Sequence, residues 1–69
     1  MDLKAEMAGT VMALTCGPGD AVGAGDELLV LESMKMEVPL LAPMAGTVQA
    51  IHVEEGEVVQ EGQILLSLG

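Results

Sequence analysis

The sequence predicts an all-β domain, an antiparallel sandwich or flattened barrel of about eight short strands built from one unit written twice. Three observations carry this. Nine glycines and three prolines punctuate the 69 residues at short intervals, which leaves no stretch suited to a helix. Between them lie short runs rich in Val, Leu, Ile and Thr, the length and chemistry that strands use. The chain also matches itself at a shift of 37, where residues 5–32 lie over 42–69 without a gap and 13 of the 28 positions are identical.

The repeat sets the order of elements. In the first copy, residues 3–6 read as a brief strand, and 9–14, with β-branched Thr10 and Val11, as a second. Cys16-Gly17-Pro18-Gly19-Asp20 is a dense turn signal, followed by the very short strand 21–22 and another turn at Gly23-Ala24-Gly25-Asp26. Residues 28–32 form a continuous apolar run, as buried strands do. The second copy repeats this with strands at 37–41, 47–53, 58–59 and 64–68, and with turns at Glu54-Glu55-Gly56-Glu57 and Glu61-Gly62-Gln63. The paired glycines Gly19 and Gly56, and Gly25 and Gly62, belong at turn positions with positive φ. Alternation through Ser67 and its counterpart Val30 points Ile64, Leu66, Leu68, Leu29 and Leu31 inward. Pro39 and Pro43 suit an edge strand or a strand end, because proline cannot donate to a ladder.

Composition narrows the function. One domain spanning residues 1–69 is all this length supports, and Met1 points to a free-standing protein. Cores of this size rarely supply more than about 3–5 kcal/mol, and a lone Cys16 and a lone His52 offer neither a disulfide nor a Cys/His zinc site. The core must therefore be aliphatic, since Phe, Tyr and Trp are all absent. A net charge of −9 repels phosphate backbones and anionic lipids, which argues against nucleic acid and membrane as partners. No apolar run is long enough to span a bilayer and no signal peptide is visible, so the expectation is a cytoplasmic, monomeric protein. The glycine loops lack the phosphate-binding patterns, and no nucleophile–base pair is visible. His52 falls opposite Thr15 on an exposed face, and Cys16 lies in a turn; neither is expected to act in catalysis.

What the repeat leaves over is the join between the copies. Strand-like residues 28–33 and 36–41 flank Met34-Lys35, which falls where a two-residue hairpin turn belongs. Such turns favour Asn-Gly or Asp-Gly, because both central residues need positive φ. Met-Lys is a poor choice, and local rules are most often broken where a site must be presented. Lys35 is also one of two lysines in a chain without arginine, with 34 residues on either side.

Glu32-Ser33-Met34-Lys35-Met36-Glu37 resembles the modification motif of biotinyl domains, the biotin carboxyl carrier modules of biotin-dependent carboxylases. Met44-Ala45-Gly46-Thr47-Val48 and Glu55-Gly56-Glu57-Val58-Val59 are similar to the stretches that follow the lysine in that family. The resemblance implies a flattened barrel of two four-stranded antiparallel sheets, the biotinyl/lipoyl fold, with the lysine hairpin at one end and both termini at the other. It implies that Lys35 is biotinylated by a biotin protein ligase. Met34 and Met36 would be the methionines read by that ligase, and Glu32 and Glu37 part of the same recognition surface. The partners implied are biotin carboxylase and carboxyltransferase subunits or domains, between which the tethered biotin carries a carboxyl group, as in acetyl-CoA carboxylase and fatty acid biosynthesis. Ser33 departs from the family's commoner alanine and is similar to small biotinyl/lipoyl attachment proteins. The gapless repeat leaves no room for the protruding thumb of some bacterial carriers. Two other readings stand beside this one: a lipoyl carrier, whose lysine usually lies between Asp and Ala, and an unmodified interaction module of the same fold.

Overall fold

A computed structural model describes all residues, 1–69, as eight strands and no helix. The strands are β1 (Asp2–Lys4), β2 (Gly9–Leu14), β3 (Ala21–Val22), β4 (Glu27–Ser33), β5 (Met36–Leu41), β6 (Gly46–Ile51), β7 (Val58–Val59) and β8 (Ile64–Leu68). They form two antiparallel four-stranded sheets, ordered β1-β8-β6-β3 and β5-β4-β2-β7. Adding 37 to the first copy maps β2 onto β6, β3 onto β7 and β4 onto β8, which converts one sheet order into the other. Each sheet therefore draws strands from both copies, and neither copy could close a core alone.

Four turns lock the copies together. Gly19, Gly25, Gly56 and Gly62 have φ between 86° and 92°, as the third residue of a type II turn requires. Each turn is closed by a backbone bond, such as Asp20 N to Gly17 O at 3.1 Å, and by a side chain at its last position. Asp20 and Asp26 accept from the amides of Gly17 and Gly23, and Glu57 and Gln63 accept from those of Glu54 and Gln60. The turn at 17–20 then grips Val48 of the other copy, through Gly19 N to Val48 O at 2.7 Å and Val48 N to Asp20 O at 2.8 Å. Its counterpart at 54–57 grips Val11 in the same way, at 2.8 and 2.9 Å.

Thirteen residues are buried, all Leu, Val or Ala. They come largely as repeat-related pairs: Ala5 and Ala42, Val11 and Val48, Leu28 and Leu65, Leu29 and Leu66, Leu31 and Leu68. One expectation fails. Ile64 is 38% exposed, whereas Leu65, expected outside, is fully buried. The ladder between β1 and β8 steps from Lys4–Ile64 to Leu3–Leu66, leaving Leu65 as the extra residue of a bulge. A bulge interrupts the two-residue alternation, so Leu65 and Leu66 both face inward and Ile64 is turned out. The matching shift at Leu28, between Glu27–Leu41 and Leu29–Leu40, buries Leu28 and Leu29 together. Strand ends also move slightly: β1 covers Asp2–Lys4 instead of 3–6, and β6 stops at Ile51 instead of 53.

The chain ends pair as the hairpin stem does. Leu68 N donates to Met1 O at 2.8 Å, and the Met1 amino group donates to Leu68 O at 2.6 Å. A shift of 37 makes Leu68 and Met1 the equivalents of Leu31 and Val38, which face each other in the β4–β5 ladder. Pseudo-symmetry thus sets the β4–β5 hairpin at one end of the 30 × 19 × 17 Å molecule and the termini at the other.

Candidate functional site at the hairpin tip

The β4–β5 ladder runs through Leu31–Val38, Glu32–Glu37 and Ser33–Met36, so Met34-Lys35 is a two-residue turn, as expected. Met34 has φ 54° and Lys35 φ 63°, and they are the only residues besides glycine with positive φ. Positive φ at both central positions marks the turn that matches the twist of two antiparallel strands. Side chains with a Cβ resist it by roughly 1–2 kcal/mol per residue. Met34 and Lys35 are therefore held there by the strands below them, against local preference.

The hairpin is firmly based and openly tipped. Leu31 is buried and Val38 half-buried, while Glu32, Met34, Lys35, Met36 and Glu37 are exposed, Met34 to 91% and Met36 to 65%. All five residues named from the sequence lie on this one element, and the fold brings them together around Lys35. Glu32 and Glu37 face each other directly across the stem. Like charges in that relation destabilise a sheet, so the stem holds a second locally unfavourable feature beside the turn. Together they place a negative pair next to the lysine.

Two scaffold residues were missed by sequence reasoning. Thr10 of β2 pairs with Glu32, and Gly9 lies against the backbone of Glu32 and the Cβ of Ser33, which fixes the stem from its other side. The repeated Met-Ala-Gly-Thr-Val held the signal, read there as duplication, as a strand and as family likeness, without its contact to the hairpin stem.

The other polar side chains form no competing site. His52 Nε2 lies 3.3 Å from Ser67 Oγ, and Ser67 donates to Asp2 Oδ1 at 2.7 Å. Because Ser67 gives its proton to the carboxylate, this chain fastens β1 to β8 and leaves no serine activated by histidine. Cys16 Sγ donates to Leu28 O at 3.4 Å, and burial, reinforced by the Asp20 carboxylate, pushes its thiol pKa up, away from the reactive thiolate. A small, partly open groove lies beside the hairpin, lined by Met7, Val38 and Leu40 among others.

A group carried on Lys35 would thus be held at the surface by a covalent bond, with no enclosing cavity. That suits a cofactor attached through an exposed amine and passed among other proteins' active sites, and the residues present fit such an attachment.

Comparison with known proteins points the same way. The biotin/lipoyl family model, described as biotin-requiring enzyme, matches residues 1–68. A biotinylated protein of Mycobacterium leprae, a TB7.3 homolog, is 49% identical over 41 residues, 59% of this chain and 58% of that protein. A biotin/lipoyl attachment protein of Bacillus subtilis is 40% identical over 61% of this chain and 58% of its own length. The human mitochondrial propionyl-CoA carboxylase alpha chain is 45% identical over 58% of this chain, which is 6% of that protein. Among solved structures, a single-chain long-chain acyl-CoA carboxylase superposes with TM-score 0.91 at 41% identity, covering 96% of this chain and 7% of the enzyme. The lipoyl domain of the 2-oxoglutarate dehydrogenase complex of Azotobacter vinelandii superposes with TM-score 0.87 at 29% identity, covering all of this chain and 95% of that domain. The alignments span little more than half of the small curated relatives and a small part of the large enzymes. With the eight-strand fold, the presented lysine and a family match over nearly its whole length, this chain belongs to the biotin-requiring family, as a domain of the biotinyl/lipoyl fold.

Proposed function

We propose that this chain is a biotin carboxyl carrier, loaded at Lys35 and without catalysis of its own. One observation carries the reading most: a lysine held at positive φ on the tip of a two-residue turn, between two highly exposed methionines. In the loading step Lys35 Nζ, once deprotonated by the ligase, attacks the acyl carbon of an activated biotinyl-adenylate. The amide C–N bond forms, the acyl–phosphate bond breaks and AMP leaves. Met34 and Met36 offer the ligase an adaptable apolar surface on both sides of the amine. Glu32 and Glu37 add a negative patch that steers the hairpin into a basic cleft. A rigid hairpin presents Lys35 at a lower ordering penalty than a flexible tail would.

Once bound, biotin supplies a ureido nitrogen that takes up a carboxyl group at one active site and releases it at another. The chain's part is to tether it, which keeps its effective concentration high at both sites. The partners are a biotin protein ligase, a biotin carboxylase and a carboxyltransferase. Relatives that act on propionyl-CoA and long-chain acyl-CoA support an acyl-CoA as final acceptor; within that class we place acetyl-CoA, and hence fatty acid synthesis, as the specific proposal. A single domain over residues 1–69, acting as a monomer in the cytoplasm, completes the reading. Incubating the loaded chain with biotin carboxylase, ATP and labelled bicarbonate should put label on the protein. Equal labelling of Lys35→Ala would sink it.

A second reading is favoured by the Bacillus subtilis attachment protein and by the Azotobacter lipoyl domain: Lys35 also accepts lipoate. Probing the chain from cells with streptavidin and with an anti-lipoyl antibody separates the two cofactors.

A further inference from the structure

All six methionines are exposed, from 37% at Met7 to 91% at Met34, and none is among the thirteen buried residues. Methionine normally ranks with the residues most often buried. Here the core is built from Leu, Val and Ala alone, and every thioether has been left outside it. The two most exposed are Met34 and Met36, on either side of Lys35.

We propose that Met34, and after it Met36, is a site of reversible sulfoxidation, and that the sulfoxide withholds Lys35 from the ligase. The second half of this rests on the carrier reading above. The oxidant is hydrogen peroxide. A sulfur lone pair attacks the terminal peroxide oxygen, an S–O bond forms as the O–O bond breaks, and the departing oxygen leaves as water after proton transfer. Sulfur is oxidised by two electrons and the peroxide reduced by two.

Exposure sets the order of attack, since peroxide must reach the sulfur. Met34 leads because its positive φ holds it on a turn with no strand beside it. The product replaces a flexible apolar group with a polar one, which must be desolvated when the hairpin enters the ligase. No methionine packs in the core, so oxidation leaves the fold standing and acts where the hairpin is read. Methionine sulfoxide reductases reverse the change.

The test uses the full, unloaded chain treated with limiting hydrogen peroxide. Peptide mass spectrometry should show Met34 oxidised first, then Met36, ahead of Met7, Met12 and Met44. The initial rate of biotin uptake with ligase and ATP should fall about tenfold and return after reductase treatment. The variant M7L/M12L/M44L should show the same fall, and M34L/M36L, whatever its own rate, should not respond to peroxide. Melting curves of treated and untreated chain should coincide. Even oxidation across the six methionines overturns the site, and an unchanged rate with Met34 fully oxidised overturns its effect. An untreated chain that takes up no biotin removes the carrier reading and the effect with it, while the order of oxidation is read independently from the peptide masses.

Discussion

Gly9 of β2 runs so close to Glu32 of β4 that a Cβ on it would stand 2.7 Å from the Glu32 carbonyl oxygen. The repeat reproduces this at Gly46, whose Cβ would stand 2.7 Å from the carbonyl oxygen of Gly69. One contact props the stem of the lysine hairpin and the other lies just past the end of β8. Gly9→Ala must therefore push β2 away from β4, at about 1–3 kcal/mol, whereas Gly46→Ala meets Gly69, which lies outside β8 and is held by two backbone bonds to Thr47. Thermal melts should show Gly9→Ala lowered by roughly 4–8 °C per kcal/mol and Gly46→Ala clearly less. Equal losses would mean that the hairpin stem is no more constrained than the terminus.

The turn itself stores the opposite kind of effect. Replacing Met34-Lys35 by Asn-Gly gives the positive-φ positions the residues they favour, and should stabilise the domain by about 1–2 kcal/mol in denaturant titrations. Loading is lost with the lysine. Met34→Asn alone keeps Lys35, and should gain a smaller part of that stability while slowing biotin uptake. A destabilised Asn-Gly variant would show that the turn is not strained.

Glu32 and Glu37 give a third handle. Glu37→Thr removes a like-charge pair directly across the stem and should raise stability by about 0.2–1 kcal/mol. The same change weakens steering toward a basic ligase cleft, so the loading rate should drop at low salt and converge with the parent at high salt. A rate indifferent to Glu37 at every ionic strength would take the stem carboxylates out of recognition.

Cys16 supplies a pH dependence. Burial first, and Asp20 second, raise its folded-state pKa above the ordinary value of 9.0. Below that ordinary value the thiol is protonated whether folded or unfolded, and its contribution to stability is fully present. As pH rises past 9.0 the unfolded chain loses the proton first, so the contribution fades toward the raised folded pKa. Iodoacetamide should alkylate Cys16 more slowly than a small free thiol at mildly alkaline pH, and Asp20→Asn should speed it. Alkylation at the rate of a free thiol would contradict the burial.

Much of this was legible from residues alone. Gly19, Gly25, Gly56 and Gly62 announced four turns, and the 37-residue shift announced the two-fold arrangement. Met34-Lys35 was legible as a hairpin because the strands on both sides left it two residues and no more. What the sequence hid was geometry carried by the backbone. Ile64 was misplaced because the bulge at Leu65 depends on how β8 pairs with β1, which no local pattern reveals. Asp20 with Glu57, and Asp26 with Gln63, counted as mismatches in the repeat, yet each pair performs one task, accepting an amide three residues back. Gly9 read only as the first residue of a strand, and its actual use, close approach to Glu32, appears only when β2 and β4 are laid side by side.

The central claim is that Lys35 is selected by its place on the hairpin and not by being an available amine. Lys4 is the internal control, since it is the only other lysine and is also exposed. Incubation with a biotin protein ligase, ATP and biotin, followed by intact-mass and peptide analysis, measures this directly. The account predicts one biotinyl adduct, on Lys35, and none on Lys35→Ala. An adduct on Lys4, an adduct retained by Lys35→Ala, or a chain that remains unmodified would contradict it.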